Sequence, residues 1–266
     1  MLEIEFAQLS DPGPVRGHNE DFLGHVEPDT PERARSHGWL FALADGVGGQ
    51  DLGEVASRTA VESMLEGFTK AVPGEPHPAV LSRLVQAANT QVYETGRSAG
   101  PGGVRMATTI VACALRFDRL TVAHVGDSRC YLIRRGSASV LTRDHTVVND
   151  QVRIGVMSAQ EAAQSEKRHV LSRSLGNDLF VNVDTSEHQV LPGDVLLLCS
   201  DGLHGPLPAV ELGAVVGRHP DLGAAARCLV ELANERDGSD NVTIQLIRIR
   251  SVERIGMYRG RPYKLR

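Results

Sequence analysis

Short unbroken apolar runs alternate with polar, turn-rich segments along this chain, and only a few stretches switch to helical spacing. The run from Trp39 to Ala44 has the length and content of a buried strand, and it ends in Asp45 with Gly46, Gly48 and Gly49 close behind. Leu2 to Leu9 predicts a first strand, Ser10 to Gly13 a turn, and Phe22 to Val26 a short second strand. Pro28 to His37 is polar with two prolines and is expected to be a loop. From Gly53 to Val72, Ala56, Ala60, Met64 and Phe68 fall on one row, with Val61, Leu65 and Val72 beside it, as on a helix with one broad core face. Pro73-Gly74-Glu75-Pro76 breaks it. A second helix is expected from about Pro78 to Thr95, antiparallel to the first and covering a sheet.

After a glycine-rich loop at Gly96 to Gly103, four strand-like runs fill the chain from Thr108 to Leu141. Turns at Phe117–Arg119 and Arg134–Ser137 join them as hairpins, which argues for antiparallel pairing rather than the βαβ alternation of a dinucleotide-binding fold. From Thr142 to Gly176 the chain turns polar and helical, with a capping box at Ser158-Ala159-Gln160-Glu161. This insert between two strand-rich halves reads both as a surface excursion and as a flap over a site. Strands return from Phe180 to Val190 and from Asp194 to Ser200, a helix is expected from Pro220 to Glu235, and a last strand ends near Arg250. The pattern describes one domain over residues 1–250, followed by a basic tail over 251–266.

Composition adds little to that picture. At 41% hydrophobic and 23% charged, the 266-residue chain has an ordinary globular make-up. Its net charge of −5 gives no reason to expect nucleic-acid binding. The charge is uneven, with seven Lys/Arg against one Glu from Arg248 to the end. That basic end is expected to be solvated, and membrane association is expected only if it continues into an anchor. The four cysteines are scattered without CxxC spacing and read as buried free thiols. With no long apolar stretch and no secretory signal in the chain as given, a cytoplasmic protein is expected.

The chemistry lies in a repeated juxtaposition. Asp45-Gly46, Gly126-Asp127 and Asp201-Gly202 each close an apolar run, and Gly238-Ser239-Asp240-Asn241 opens the last one. One Asp-Gly pair is an ordinary turn; four placements at strand ends are not. Carboxylate and carbonyl oxygens without Cys or His companions suit Mg²⁺ or Mn²⁺. Arg16, Glu20 and Asp21 share one short segment and are the right types to bind phosphate and to hold metal-bound water. From residues alone, this is a metal-assisted phosphoester hydrolase.

At the same residues the chain resembles the metal-dependent (PPM, or type 2C) Ser/Thr protein phosphatases, particularly the compact bacterial ones. The resemblance runs over about residues 5 to 247, in the family's motif order. Its first half consists of Ser10-Asp11-x-Gly13-x-x-Arg16-x-x-Asn19-Glu20-Asp21, Asp45-Gly46-x-Gly48-Gly49, Thr108-Thr109 and Val125-Gly126-Asp127-Ser128-Arg129. Thr142-Arg143-Asp144-His145, Leu175-Gly176, Ser200-Asp201-Gly202-Leu203 and Asp240-Asn241-Val242-Thr243 complete it. The resemblance implies an α+β, four-layer αββα sandwich: two antiparallel sheets flanked by helix pairs, with the flap insert at about 142–176.

It also implies a role for each matched residue. Asp45 would bridge two divalent cations, Mn²⁺ or Mg²⁺, and the Gly46 carbonyl would bind one of them. Asp201 and Asp240 would complete the other, and Glu20 and Asp21 would act through water. Asp127 with Asp201 would hold a weaker third ion, and Arg16 would take the phosphate. The implied activity is hydrolysis of phosphoserine and phosphothreonine in proteins by a metal-bridging water, opposing Ser/Thr kinases, in a monomer. Two other readings stay open: a catalytically weak module that binds phosphoproteins, and a small-molecule phosphoesterase on the same metals. Val47 stands where many eukaryotic relatives carry a histidine, and Ala107 replaces a glycine. His124 and His145 are expected to be structural.

Overall fold

The computed structural model describes residues 2–47, 52–100, 102–258 and 261–264, with side chains described up to residue 254. Two five-stranded antiparallel sheets stack face to face. In one, the order is β1 (Glu3–Asp11), β10 (Val242–Ser251), β9 (Val195–Cys199), β6 (Arg129–Arg134) and β7 (Ser137–Val140). In the other it is β2 (Asp21–Val26), β3 (Trp39–Asp45), β4 (Ile110–Arg116), β5 (Arg119–Val125) and β8 (Asp184–Gln189). Helices α2 (Gly53–Thr69) and α3 (His77–Ser98) cover the outer face of the β3 sheet, and α7 (Ala209–Arg218) and α8 (Leu222–Arg236) cover the other. This is the four-layer αββα sandwich.

The continuous apolar runs follow from this layering. Along β3, Leu40, Ala42 and Ala44 face the helices, while Phe41 and Leu43 enter the layer between the sheets. Successive strand residues point to opposite faces, so a strand covered on both sides has no polar position to offer. On α2, Ala56, Ala60, Val61, Met64 and Phe68 are buried against Leu81, Val85, Ala88 and Val92 of α3 and against the sheet. The cysteines Cys113, Cys130 and Cys199 are buried free thiols, and Cys228 is a partly exposed one.

Several elements differ from the sequence expectation. Pro28 to His37 is not all loop, because α1 (Pro31–Ser36) forms with Thr30 as its cap: the Thr30 hydroxyl accepts the Arg33 N–H, and proline is at home in a first turn. The first long helix ends at Thr69, and Val72 is left exposed. The second runs on to Ser98, into the expected loop, because Gly96 packs too tightly for a side chain: a Cβ there would stand 2.7 Å from the Val104 carbonyl oxygen. The strand expected from Phe180 begins only at Asp184. The insert carries α4 (Val147–Arg153) and α5 (Ala159–Gln164), and α5 opens with the expected capping box at Ser158. In the basic tail the backbones of β11 (Ile255–Tyr258) and β12 (Arg261–Lys264) pair as a hairpin.

What positions the site is register. Asp21 pairs with Asp45 across β2 and β3. In the partner sheet, Cys199 on β9 pairs with both Arg129 and Ile244. The residues just beyond, Ser200–Asp201, Gly126–Asp127 and Asp240–Asn241, therefore emerge together at the same end. A helical turn, α6 (Asp201–His204), starts there, and Gly202 sits on it with its α-carbon against the Asn241 backbone. A Cβ at Gly202 would fall 2.1 Å from the Asn241 carbonyl oxygen. Gly202→Ala is therefore expected to lower stability by about 2 kcal/mol, as overpacking of a rigid contact does. Chemical denaturation checks it; an unchanged midpoint would mean that the contact relaxes freely.

Candidate active site

Five carboxylates converge at this end of the sandwich. Asp21 and Asp127 are buried, and Asp45, Asp201 and Asp240 are partly so. Burial raises Asp45 well above the ordinary aspartate range, and the charges of Asp21, Asp201, Asp127 and Asp240 push it further. Asp21 is pushed up to about 7 by burial, with Asp201 and Asp240 adding to it against hydrogen bonds from Thr243 and Ser200. Asp127 stands at about 7 as well, through burial and then Asp201 and Asp144. Burial, then Asp201, raises Asp240. Like charges this close cannot all ionise without a compensating cation.

The scaffold around them is hydrogen-bonded in detail. The Asp45 N–H donates to Thr109 Oγ1 (3.0 Å), while the Asp45 carbonyl accepts from the Thr109 N–H (2.8 Å) and the Thr108 hydroxyl (2.7 Å). Thr109 and Ser128 share a further bond at 2.7 Å, tying β3 to the Asp127 turn. The Ser200 hydroxyl donates to Asp21 Oδ2 (2.8 Å), but Asp21 Oδ1 is buried with no partner. An acceptor left bare in the interior costs free energy that a cation or its water shell would recover. This orphan, with the crowd of oxygen donors and the absence of a sulfur ligand among them, fits a hard divalent cation.

Backbone approach explains the glycines here. A Cβ on Gly46 would lie 2.5 Å from the Gly53 carbonyl oxygen and 2.8 Å from that of Glu20. Gly13 has φ +72°, and its Cβ would meet the Asp240 carbonyl oxygen at 2.5 Å. Gly48 and Gly49 lie outside the described residues. The Gly46 N–H donates to the Glu20 carbonyl at 3.1 Å, and the Ser57 hydroxyl on α2 donates to the same oxygen at 2.6 Å. Asn241 accepts the Glu20 N–H (2.8 Å) and donates to the Pro12 and His18 carbonyls (2.9 and 3.0 Å), so the Arg16–Asp21 segment is moored to Asp240's own loop.

The structure brings all the expected site residues together. Arg16 reaches Asp240 Oδ1 at 3.0 Å through Nη2, and its Nε–H donates to the Ser239 carbonyl at 3.0 Å. The Glu20 carboxyl is raised by burial, against Arg16 and with help from Glu54 and Asp240, and a Cβ on Gly53 would stand 3.0 Å from its Oε1. Two further histidines were not singled out in the sequence. His204, the last residue of α6, donates from Nε2 to the Asp127 carbonyl at 3.0 Å and is held neutral, at about 4, by burial and then Arg129. His169, on the flap insert, places Nδ1 3.6 Å from Asp201 Oδ2. Asp201 alone of the five carboxyls falls below its usual range: burial opposes this, but His169 and His204 outweigh it. His204 lies one helical step from Asp201 and was findable; His169 lies in a stretch without periodicity.

His124, His145 and Asp184 also have the mutual spacing of metal ligands. Most of their polar atoms are already engaged, although His145 Nε2 is buried without a hydrogen-bond partner. Asp184 accepts from Arg173 Nη1 (2.9 Å) and Arg143 Nη2 (3.1 Å). His145 Nδ1 accepts the Gly126 N–H at 3.1 Å, which leaves its proton on Nε2, 3.3 Å from Asp184 Oδ2. Its ring stacks on His124 at 4.7 Å. Two guanidinium groups already satisfy the one carboxylate, so the cluster clasps the root of the flap to the sheet.

The fold and the acid-lined cleft define a class, and sequence comparison agrees with it: residues 19–231 match the model of the Protein phosphatase 2C family, and the chain belongs to that family. It is 33% identical to the serine/threonine phosphatase stp of Listeria welshimeri over 95% of its own length and 96% of that protein's. It is 32% identical to a putative protein phosphatase 2C-type of Streptococcus pyogenes, covering 92% and 97% of the two chains. Among solved structures, the Mycobacterium tuberculosis serine/threonine phosphatase PstP/Ppp superimposes with a TM-score of 0.82 at 32% identity, over 94% of this chain and all of that one. The PstP catalytic domain in complex with two manganese ions gives 0.79 at 31% identity, with the same coverage.

The carboxyl cluster sets a pH dependence for the metal-free protein. Asp21 and Asp127 stand at about 7 in the fold against 3.8. The stability they contribute is full below the lower value and lost as pH rises through the higher one. His77, His145 and His204, at about 4 against 6.5, contribute stability that is full above 6.5 and lost as pH falls. Above about pH 6.5 the acids decide together with His169, which Asp201 holds above its ordinary value and which acts in the same direction. The melting temperature of chelator-treated protein is expected to fall from pH 6.5 to 8, and saturating Mn²⁺ is expected to abolish that fall. A flat profile without metal would contradict the mutual repulsion.

Proposed function

We propose that this protein hydrolyses phosphoserine and phosphothreonine in protein substrates, with divalent cations held by the carboxyl cluster. The observation that carries the reading is Asp45, whose carboxyl is raised by burial and then by the charges of four other aspartates gathered at the same end of the sandwich. Asp45, Asp201, Asp240 and the Gly46 carbonyl are the residues that would hold the cations, and Glu20 and Asp21 would orient water around them. Divalent cations, when bound, supply positive charge to the phosphoryl oxygens and acidify water. Whether they are Mn²⁺ or Mg²⁺ depends on supply, since an all-oxygen site takes both.

Arg16 holds the phosphate. Its guanidinium offers five N–H donors, and the contacts to Asp240 and Ser239 leave part of that fork to a ligand. Its position fixes where phosphorus sits relative to Asp45, at the end of β3, and Asp240, in the loop that leads into β10. Val47 has no proton to give, so the residue after Asp45-Gly46 serves shape alone. The names of the relatives support protein phosphomonoesters as the substrate class.

The test is Mn²⁺-dependent hydrolysis of a phosphothreonine peptide, abolished by chelator. Asp45→Asn, Asp201→Asn and Asp240→Asn are each expected to lower kcat/KM more than about 100-fold, because a lost charged ligand exceeds the 10- to 100-fold of an outer contact. In chelator the melting temperatures of Asp45→Asn and Asp240→Asn should not fall, because each removes a repelling charge, whereas Asp201→Asn also loses the favourable partners His169 and His204. A variant that keeps near-normal turnover at low metal would remove that residue from the site.

Arg16→Ala separates binding from chemistry. KM for the peptide is expected to rise about tenfold with a smaller change in kcat, the signature of a group that holds phosphate in ground and transition states alike. Unchanged kinetics would leave Arg16 as a brace for the Asp240 loop.

A further inference from the structure

A side-chain amide stands among the apolar residues on the inner face of α3. Asn89 is fully buried and shares that face with Leu81, Val85, Ala88 and Val92. A buried amide costs free energy unless its bonds are made, and here they are made. Its Oδ1 accepts the Gly176 N–H at 2.9 Å, and its Nδ2 donates to the Asp178 and Leu179 carbonyls at 2.9 and 3.0 Å. Among the described residues, the Gly176 N–H has no other acceptor. Gln86, three residues earlier on α3, grips the same segment further along. Its Nε2 donates to the Leu179 carbonyl at 2.9 Å, and its Oε1 accepts the Val181 N–H at 3.2 Å. Leu179 is therefore held by two side chains and Gly176 by Asn89 alone.

Gly176 closes a row of backbone that begins at the carboxyl cluster. Leu175 and Thr108 exchange both backbone bonds, at 2.8 and 3.2 Å, and Thr108 bridges in turn to Gly46. On that side the Val47 N–H donates to the Ala107 carbonyl at 3.0 Å and the Thr109 N–H to the Asp45 carbonyl at 2.8 Å. In such an antiparallel pair Gly46 turns its own N–H and carbonyl away from Thr108. The N–H meets the Glu20 carbonyl at 3.1 Å. A regular ladder would give the Gly46 carbonyl the Glu20 N–H, but Asn241 Oδ1 takes that donor at 2.8 Å. The Gly46 carbonyl is left without a donor among the described residues. Its direction is set by the order Glu20, Gly46, Thr108, Leu175, and Asn89 fastens the outer end of that row.

We propose that Asn89 is a positioning residue for the active site: it holds Gly176 so that Leu175 and Thr108 keep the Asp45–Gly46 backbone turned toward the cleft. The proposal rests on the reading of Asp45 and the Gly46 carbonyl as cation donors, and adds to it a residue in the outer helix layer. Groups that orient a metal's ligands from behind commonly change its affinity about 10- to 100-fold when removed. Asn89 acts from further back, through two backbone links, and its effect belongs at the low end of that range.

The test compares Asn89→Ala with Gln86→Ala. Both cut tethers between α3 and the same segment, but only the first frees Gly176. By calorimetry, Mn²⁺ affinity is expected to drop about tenfold in Asn89→Ala and to change less than about twofold in Gln86→Ala. Turnover of a phosphothreonine peptide should fall in Asn89→Ala at limiting Mn²⁺ and return at saturating Mn²⁺, with KM for the peptide unchanged. Thr108→Val probes the next link, since it removes the 2.7 Å bond from the Thr108 hydroxyl to the Asp45 carbonyl. It too should weaken Mn²⁺ binding, and the double variant should lose less than the two single losses combined. If Asn89→Ala does not fold, Asn89→Ser carries the comparison. If neither folds, unchanged Mn²⁺ affinity in Thr108→Val overturns the proposal. A lowered melting temperature with wild-type Mn²⁺ affinity in the Asn89 variant also overturns it, as does equal weakening in Asn89→Ala and Gln86→Ala. Wild type separates the two claims. If it binds Mn²⁺ and turns over while the Asn89 variant matches its affinity, only this inference falls; if it binds no Mn²⁺, the assigned function falls with it.

Discussion

Repulsion among five aspartates at one end of a β-sandwich is the constraint on which the rest of the structure depends. Asp45 alone feels four others, and burial strips away the water that would screen them. A fold that gathers such charges without cancelling them must hold each by its backbone, because the side chains push apart. The threonines behind Asp45, the Ser200 hydroxyl at Asp21 and the Asn241 bracket around the Arg16–Asp21 segment are those holds. The arrangement stores electrostatic energy that a divalent cation releases, so metal binding and stability are linked.

The sandwich suits this task because its two sheets present strand ends at a common edge. Sheet register sets Asp21 opposite Asp45, and the ends of β9 and β6 set Asp201 near Asp127. Helix pairs on both outer faces bury the strands on both sides, which fixes their register through the core rather than through the polar end. Glycines at positions 13, 46 and 202 then let the loops close to distances that any Cβ would prevent. The flap is the exception: it is anchored at its root by the His145–Asp184–Arg173 clasp and touches the cluster through His169.

Much of this was legible in the sequence wherever one physical rule dominated. Doubly covered strands read as unbroken apolar runs, so β3, β4 and β9 stood out. The one-sided face of α2 read as helical rows, and the recurrence of Asp beside Gly at strand ends marked the acid cluster. Where two rules competed, reading was harder. Prolines hid α1, although Pro31 stands where a helix welcomes it. Gly96 looked like a loop residue and is a packing residue inside α3. Leu212 and Val216 gave α7 too short an apolar row to notice. Phe180, expected to begin a strand, is left largely exposed outside one. His169 has no sequence signal at all, because its approach to Asp201 comes from where the flap returns.

The most direct measurement of the central claim is anomalous diffraction from crystals of the protein equilibrated with Mn²⁺. The account predicts strong manganese peaks within bonding distance of Asp45, Asp201 and Asp240, with Asp21 Oδ1 gaining a water or metal contact. Peaks absent from that cluster, or found instead between His124, His145 and Asp184, would contradict it.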